Sequence, residues 1–380
     1  MRVAVAIDSF KGSLSTFEAG EAVSCGIKKV YPNATVDVRP LADGGEGTVE
    51  ALIAALGGER RKISVTGPVG RTVTAEYGFL PERKTAVMEM ASAAGITLLE
   101  ESERNPMLTT TYGVGEMIVD AIQNGCRKFI VGIGGSATND GGIGMLQALG
   151  FSFLDENNAQ VTFGANGLKA LKQIKTYNVL PALKECTFMV ACDVKNPLCG
   201  VNGCSHVFAK QKGATPQMIL EMDEWMERYA QLTKRVLPKS DATAHGAGAA
   251  GGLGFAFLSY LPSVMQSGIE LVIKETDLES YVKNADFVVT GEGRLDSQSV
   301  MGKAPVGVAS LAKKYGKPVF AFSGCVTKDA GVCNEHGIDA YFPILATPCS
   351  LEEAMDKTNA FDNLSRTAQQ AFRIVKTLKG

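Results

Sequence analysis

Three observations predict an α/β fold in two domains. Short β-branched runs alternate with stretches of helical periodicity, glycine and charged residues gather where those runs end, and the two ends of the chain read alike around a longer middle. At ~150 residues per domain, 380 residues suffice for two domains, or for one large domain carrying an insertion.

The N-terminal stretch states the pattern twice. RVAVAI at 2–7 is a strand-forming run that ends on Asp8, and the polar loop at 8–14 leads to Ser15, which makes an S-x-x-E capping box with Glu18. Apolar residues then recur at helical spacing to Val30. Residues 34–41 read as the next strand, 43–47 (DGGEG) as a tight loop and 48–56 as a helix. Strand, polar glycine loop and helix in succession signal βαβ units on a parallel sheet. In the middle, 86–90, 128–131 and 187–191 read as strands, and 112–124 and 144–149 as parts of helices. Residues 213–239 form an amphipathic stretch whose packed face holds the single tryptophan, Trp225. Toward the end, 286–290 (DFVVT), 318–322 (PVFAF) and 338–344 are strands, and 351–378 is helical. The likeness of the ends places 1–80 and 285–380 in one domain and 81–284 in a second, inserted α/β domain.

Composition removes several classes. Hydrophobic residues make up 45% and charged residues 21%, enough apolar material for a sizeable core, so disorder is excluded. Lys and Arg number 38 against 40 Asp and Glu, a net charge of −2, and no global positive field draws nucleic acid or an anionic membrane. The segment 242–269 has no Asp, Glu, Lys or Arg, yet it holds six glycines and Pro262. Its longest apolar part, 246–258, is shorter than the ~20 residues a span needs, so it reads as a buried or glycine-lined segment. The nine cysteines are odd in number, and the first residues do not resemble a secretory leader. Free thiols in a reducing cytoplasm are the expectation.

Glycine is the compositional outlier, 42 of 380 against a usual ~7%. The densest cluster, 132–144, follows the 128–131 strand and opens a helix. Gly134 and Gly135 let backbone N–H groups approach an anion, the helix start adds positive potential, and Ser136, Thr138 and Asn139 add neutral donors. A second loop, TGEGRLDSQ at 290–298, offers Glu292 and Asp296 for Mg²⁺ and Arg294 for phosphate oxygens, equipment suited to a metal-bound polyphosphate. A third, CDVKNPL at 192–198, brings Asp193 and Lys195 to a strand end. The fourth pair is Asp8, Ser9 and Lys11 with Asp43 and Glu46. Beyond the carboxyl ends of the strands is where open α/β sheets bind ligands. Each loop also has a plainer reading as a tight crossover, a solvated turn or a helix cap.

Other motifs fall away. No G-x-x-x-x-G-K-[ST] or G-x-S-x-G occurs. A G-x-G-x-x-G at 246–251 follows a polar stretch rather than a strand, so it fails the context a dinucleotide fingerprint requires. Cys192, Cys199, Cys204 and His206 are too irregularly spaced for a zinc site, and His245 is better explained as a hydrogen-bonded structural residue.

Six segments together resemble the bacterial glycerate kinase (glycerate 2-kinase) family: 7–13 (IDSFKGS), 41–48 (LADGGEGT), 134–142 (GGSATNDGG), 192–198, 246–254 (GAGAAGGLG) and 290–296. The resemblance runs essentially the full chain. It implies phosphorylation of glycerate by ATP with Mg²⁺, on (R)-glycerate at the 2-hydroxyl, giving 2-phosphoglycerate and ADP. It also implies a Rossmann- or flavodoxin-like α/β domain built from both termini and a second α/β domain from the middle. Phosphoryl transfer asks for positioning and charge neutralisation, which the charged glycine loops can supply. The acceptor's carboxylate needs a cation, for which Lys11, Arg71, Lys195 and Arg294 are candidates. Its hydroxyl needs a base, Asp193 or Asp296, the other then serving Mg²⁺. Two readings compete: a dinucleotide-dependent oxidoreductase acting on a small hydroxy acid, and a non-catalytic hydroxy-acid binding protein. The expected partners are glycerate and ATP, with no nucleic acid and no membrane; a homo-oligomer is left open.

Overall fold

The computed structural model describes residues 1–42, 47–300 and 302–379. Among these, the strands in chain order are β1 (Arg2–Ile7), β2 (Thr35–Pro40), β3 (Glu59–Thr66), β4 (Thr72–Leu80), β5 (Thr85–Glu89), β6 (Lys128–Gly132), β7 (Ser152–Leu154), β8 (Gln173–Lys175), β9 (Thr187–Ala191), β10 (Ser263–Gln266), β11 (Phe287–Leu295), β12 (Val319–Val326) and β13 (Ala340–Pro343). The chain divides into two compact units. The first comprises 1–43, 50–56 and 269–380, and the second 44–49 and 57–268.

The first unit holds a five-stranded sheet in the order β13-β12-β11-β1-β2, parallel throughout. A parallel sheet is buried on both faces, and β1 shows why RVAVAI suits that position. Val3, Val5 and Ile7 enter one apolar cluster with the helices Thr16–Lys28 and Lys357–Lys379, while Ala4 and Ala6 enter another with Ala304–Lys314. The capping box forms as expected: Ser15 Oγ accepts from Glu18 N, and the Glu18 carboxylate accepts from Ser15 N. Thr16 Oγ1 donates to Ile7 O at 2.5 Å and accepts from Leu41 N, so one hydroxyl ties together the ends of β1 and β2. From β1 the chain steps outward to β2, and from β11 it steps the opposite way to β12 and β13. The order therefore reverses between β1 and β11, where such sheets open a crevice.

The second unit holds a six-stranded sheet, β10-β9-β6-β5-β4-β3, in which β3, β4 and β5 are antiparallel and the rest parallel. A separate antiparallel pair joins β7 to β8. Its core gathers Phe129, Phe188, Tyr229, Phe255 and Phe257, with Phe129 and Phe188 stacked at 4.7 Å. The helix Pro216–Val236 buries Trp225 as the periodicity predicts.

Several expectations shift. Residues 59–80, expected in the terminal domain, join the second unit's sheet, β3 pairing with β4 and β4 with β5, and the first unit resumes at 269 rather than at 285. Strand β11 does not stop at Thr290. It pairs with β12 as far as Leu295↔Val326, so Glu292 and Arg294 stand on a strand and not in a loop. The uncharged segment 242–269 is a buried helix, Ala249–Tyr260, broken by left-handed backbone at 250–252, followed by β10. The C-terminal helical stretch is two helices, Leu351–Met355 and Lys357–Lys379. Among the described residues no helix is long and apolar enough to cross a membrane, and all nine cysteines are free.

Candidate functional site

In the first unit the crevice between β1 and β11 collects charge. Asp8 leaves β1 with its backbone N–H donating to Gly291 O at 2.9 Å, and its buried carboxylate accepts from Ser9 N at 2.7 Å. On the facing strand and the turn after it, Lys303 Nζ lies 3.8 Å from Glu292 and 3.7 Å from Asp296, while Arg294 Nε reaches Asp296 at 3.2 Å. The turn is built to fix these groups. Ser299 Oγ donates to Glu292 at 2.5 Å, and Asp296 accepts from Gln298 N at 2.9 Å. Ser297 N donates to Asp329, whose carboxyl is held down to about 2 by Ser297 and then Thr327. A cavity of ≈ 410 Å³ opens here. Asp8, Ser9, Lys11, Glu292, Arg294 and Lys303 line its polar side, and Phe10, Ile344, Leu345, Leu351 and Met355 its apolar side. Lys11 is exposed at the lining and has no hydrogen bond or ion pair among the described residues.

In the second unit the loop after β6 separates into an exposed crest and a buried root. Gly134 and Gly135 are exposed and Ser136 half-buried, whereas Ala137 through Asp140 are buried. Gly135 sits at φ 71°, which a Cβ disfavours. Thr138 and Asn139 do not point outward as donors. Asn139 gives its amide to Ser205 at 2.9 Å, and among the described residues Thr138 Oγ1 and Asn139 Oδ1 are buried without a partner. Asp140 organises the root: it accepts from Thr111 N (2.8 Å), Thr111 Oγ1 (2.9 Å), Gly142 N (3.0 Å) and Gly144 N (3.4 Å), while burial pushes its carboxyl upward. Beneath the crest Lys212, 2% exposed, donates to Ser136 Oγ at 2.7 Å and Thr138 O at 2.6 Å.

On the loop after β9, Asp193 is exposed and accepts from Gly268 N at 3.2 Å, and Lys195 is exposed. Arg71, also in the second unit, pairs with Glu103 at 2.8 Å. Asp43 and Glu46 lie outside the described residues. The structure thus gathers Asp8, Ser9, Lys11, Glu292, Arg294 and Asp296 in one unit and Gly134, Gly135 and Ser136, with Asp193 and Lys195 on another loop, in the other. Among the described residues no three His, Cys, Asp or Glu side chains cluster as metal ligands. The glycines of 246–254 serve packing: a Cβ at Gly248 would meet Pro197 O, and one at Gly251 would meet Thr138 O. That use accounts for them without a dinucleotide.

Sequence reading missed Lys303 and Lys212. Lys303 stands at the N-cap of the helix Ala304–Lys314, and its only signal was a lysine after glycine just past the acidic turn. Lys212 gave no signal, because nothing local marks a lysine as buried.

The family model described as "Glycerate kinase family" matches residues 3–376. The chain is similar to the glycerate 2-kinase of Escherichia coli K12, 46% identical over 97% of this chain and 96% of that protein. It is also similar to a glycerate kinase of Halalkalibacterium halodurans, 45% identical over 99% and 98%. A crystal structure from Salmonella typhimurium LT2, provisionally named glycerate kinase 2, superposes with a TM-score of 0.91 at 42% identity, covering 100% of this chain and 99% of that one.

Proposed function

Since the chain belongs to the glycerate kinase family, a family of phosphotransferases, we propose that it transfers the γ-phosphoryl group of ATP to the 2-hydroxyl of glycerate, giving 2-phosphoglycerate and ADP. The observation that carries this reading is the charge arrangement at the β1–β11 crevice, where Glu292 and Asp296 share Lys303 and Asp296 also pairs with Arg294, beside a cavity with an apolar wall. Phosphoryl transfer needs little covalent chemistry from the protein, so fixed charges around the polyphosphate supply most of the catalysis. A three-carbon acid has no use for the wall of Ile344, Leu345, Leu351 and Met355, whereas a nucleotide base does.

The residues present suit Mg²⁺. This ion binds through one or two carboxylates together with substrate phosphates and water, and Glu292 and Asp296 are such a pair, anchored by Ser299 and Gln298. When bound, Mg²⁺ would neutralise phosphate charge. Lys303 and Arg294 add fixed positive charge at the same place, and Lys11 is a further cation for an anionic substrate group. Asp296 is already engaged by Arg294, Lys303 and Gln298, which suits a positioned ligand better than a base. Asp193 is the remaining candidate to accept the hydroxyl proton.

Phosphorus NMR of the product formed from ATP, Mg²⁺ and glycerate tests the reading. The expected spectrum shows ADP and a phosphomonoester coupled to the carbon-2 proton. A carbon-3 ester would overturn the positional claim, and the absence of glycerate-dependent ADP would overturn the activity.

A further inference from the structure

We propose that Lys212 is the positioning residue of an oxyanion site on the loop after β6, where it holds Ser136 beside the exposed backbone of Gly134 and Gly135 and leaves its own charge to be balanced by the ligand.

A buried ammonium is costly unless it is paired or fully hydrogen-bonded. Lys212 is 2% exposed, and among the described residues it joins no ion pair within 4.0 Å. Its partners are both neutral, Ser136 Oγ and Thr138 O, and two acceptors leave one of its three N–H bonds unused. The titratable groups around it come from the two elements packed against it. Asp140 on the loop is committed to Thr111 and to the N–H groups of Gly142 and Gly144. Cys204, on the helix Cys204–Phe208, is pushed up to about 12 by burial and stays neutral. Asp140 therefore acts on Lys212 only from beyond ion-pair distance, and the protein places a cation under a glycine crest with no carboxylate in direct contact among the described residues.

The crest supplies what an oxyanion needs. Because Ser136 Oγ accepts from Lys212, its own proton is free for another acceptor, and a cation behind the oxygen makes that proton a stronger donor. Among the described residues no protein acceptor takes the N–H groups of Gly134, Gly135 or Ser136, while the carbonyls of Gly135, Ala137 and Thr138 accept from Ile96 N, Thr109 Oγ1 and Lys212 Nζ. The crest is exposed and these donors carry no protein acceptor, and among the described residues no carboxylate shares it. The shared chemistry is an oxygen anion, which a hydroxy acid's carboxylate and a nucleotide's phosphate both present.

Linkage makes this measurable. Burial lowers the Lys212 ammonium to about 8, so above that pH the free protein has lost its proton. An oxyanion on the crest favours the charged form, so the bound protein keeps the proton to higher pH. Binding must therefore take up protons as pH rises through about 8, and affinity must fall in the same window.

Isothermal titration in two buffers of different ionisation enthalpy counts these protons. The full chain is titrated separately with glycerate and with ADP at pH 6.5 and pH 9. The expected result is almost no uptake at pH 6.5 and nearly one proton (about 0.9) at pH 9 with one of the two ligands. Lys212→Arg keeps the cation but cannot titrate, so it binds without uptake. Uptake with glycerate assigns the carboxylate, and uptake with ADP alone assigns the phosphate. No uptake by the wild type with either ligand, or uptake that survives in Lys212→Arg, overturns the proposal, and the wild-type measurement stands even if a variant misfolds. The inference rests on the kinase reading only for its choice of ligands. Glycerate-dependent ADP release without proton uptake sinks Lys212 alone, and proton uptake without turnover sinks only the kinase assignment.

Discussion

Replacing Gly135 by valine separates a loop that binds an anion from a loop that merely turns the chain. Gly135 holds φ at 71°, and a Cβ built on it would stand 3.2 Å from the Cβ of Ala91. A β-branched residue forced into left-handed backbone costs about 1–3 kcal/mol. For a unit of this size each kcal/mol lowers the melting temperature by roughly 2–4 °C, so Gly135→Val should melt about 2–12 °C early without ligand. The functional effect is larger. Gly135 lies on the exposed crest, and a side chain there obstructs approach to the neighbouring N–H groups. A ligand at a hundred times its Kd contributes ~2.7 kcal/mol to the wild type, and that whole increment should vanish. Differential scanning fluorimetry with and without glycerate, and with and without ATP and Mg²⁺, reads both quantities on one sample. A variant that melts early yet keeps the full shift from every ligand would refute the anion role and leave the glycine as a requirement of the turn.

Other substitutions address the crevice of the first unit. Lys303→Met should lower kcat by about 10²–10³, the usual loss for one preorganised charge at a transition state, while shifting the melting temperature little because the lysine is partly exposed; steady-state ADP release checks it, and turnover within threefold of wild type would remove Lys303 from the chemistry. Asp296→Asn and Asp193→Asn should each cost at least ~10² in kcat, and only Asp296→Asn should raise the Mg²⁺ concentration needed for half-maximal rate. Equal metal dependence in the two variants would undo the division of roles. Lys11→Met should weaken turnover with the fold intact by circular dichroism, and unchanged kinetics would return Lys11 to the solvated surface.

What the sequence made legible follows from how local each signal was. The capping box at Ser15 and Glu18 concerns four consecutive residues and needs no tertiary contact, and it stands in the structure as read. The buried central strand β1 is legible for the same reason, since a β-branched run ending at a polar loop has few other places to go. Residues 59–80 were less readable. Strand β3 carries the polar sequence ERRKISVT on a sheet edge, and its pairing with β4 stabilises it in a way no hydrophobic run announces. The extension of β11 through GEGRL shows the same override, because glycines that signal a loop in isolation become strand residues once β12 lies alongside to pair with them.

The two missed lysines show where such reading stops. A loop that carries its own charges exposes its chemistry in sequence, so Glu292, Arg294 and Asp296 were found together. A lysine brought to a loop from elsewhere in the chain leaves no trace there: Lys212 reaches Ser136 across 76 positions. Lys303 is nearer, seven residues past Asp296, but it acts only because the turn at Ser297–Val300 folds back and returns the helix start toward the acidic pair. Both are cations serving groups that sequence did identify. A site read from motifs alone therefore tends to look richer in acids and glycines, and poorer in positive charge, than the folded protein is. For a reaction that moves a phosphoryl group between anions, the omitted charges are the ones the transition state needs most.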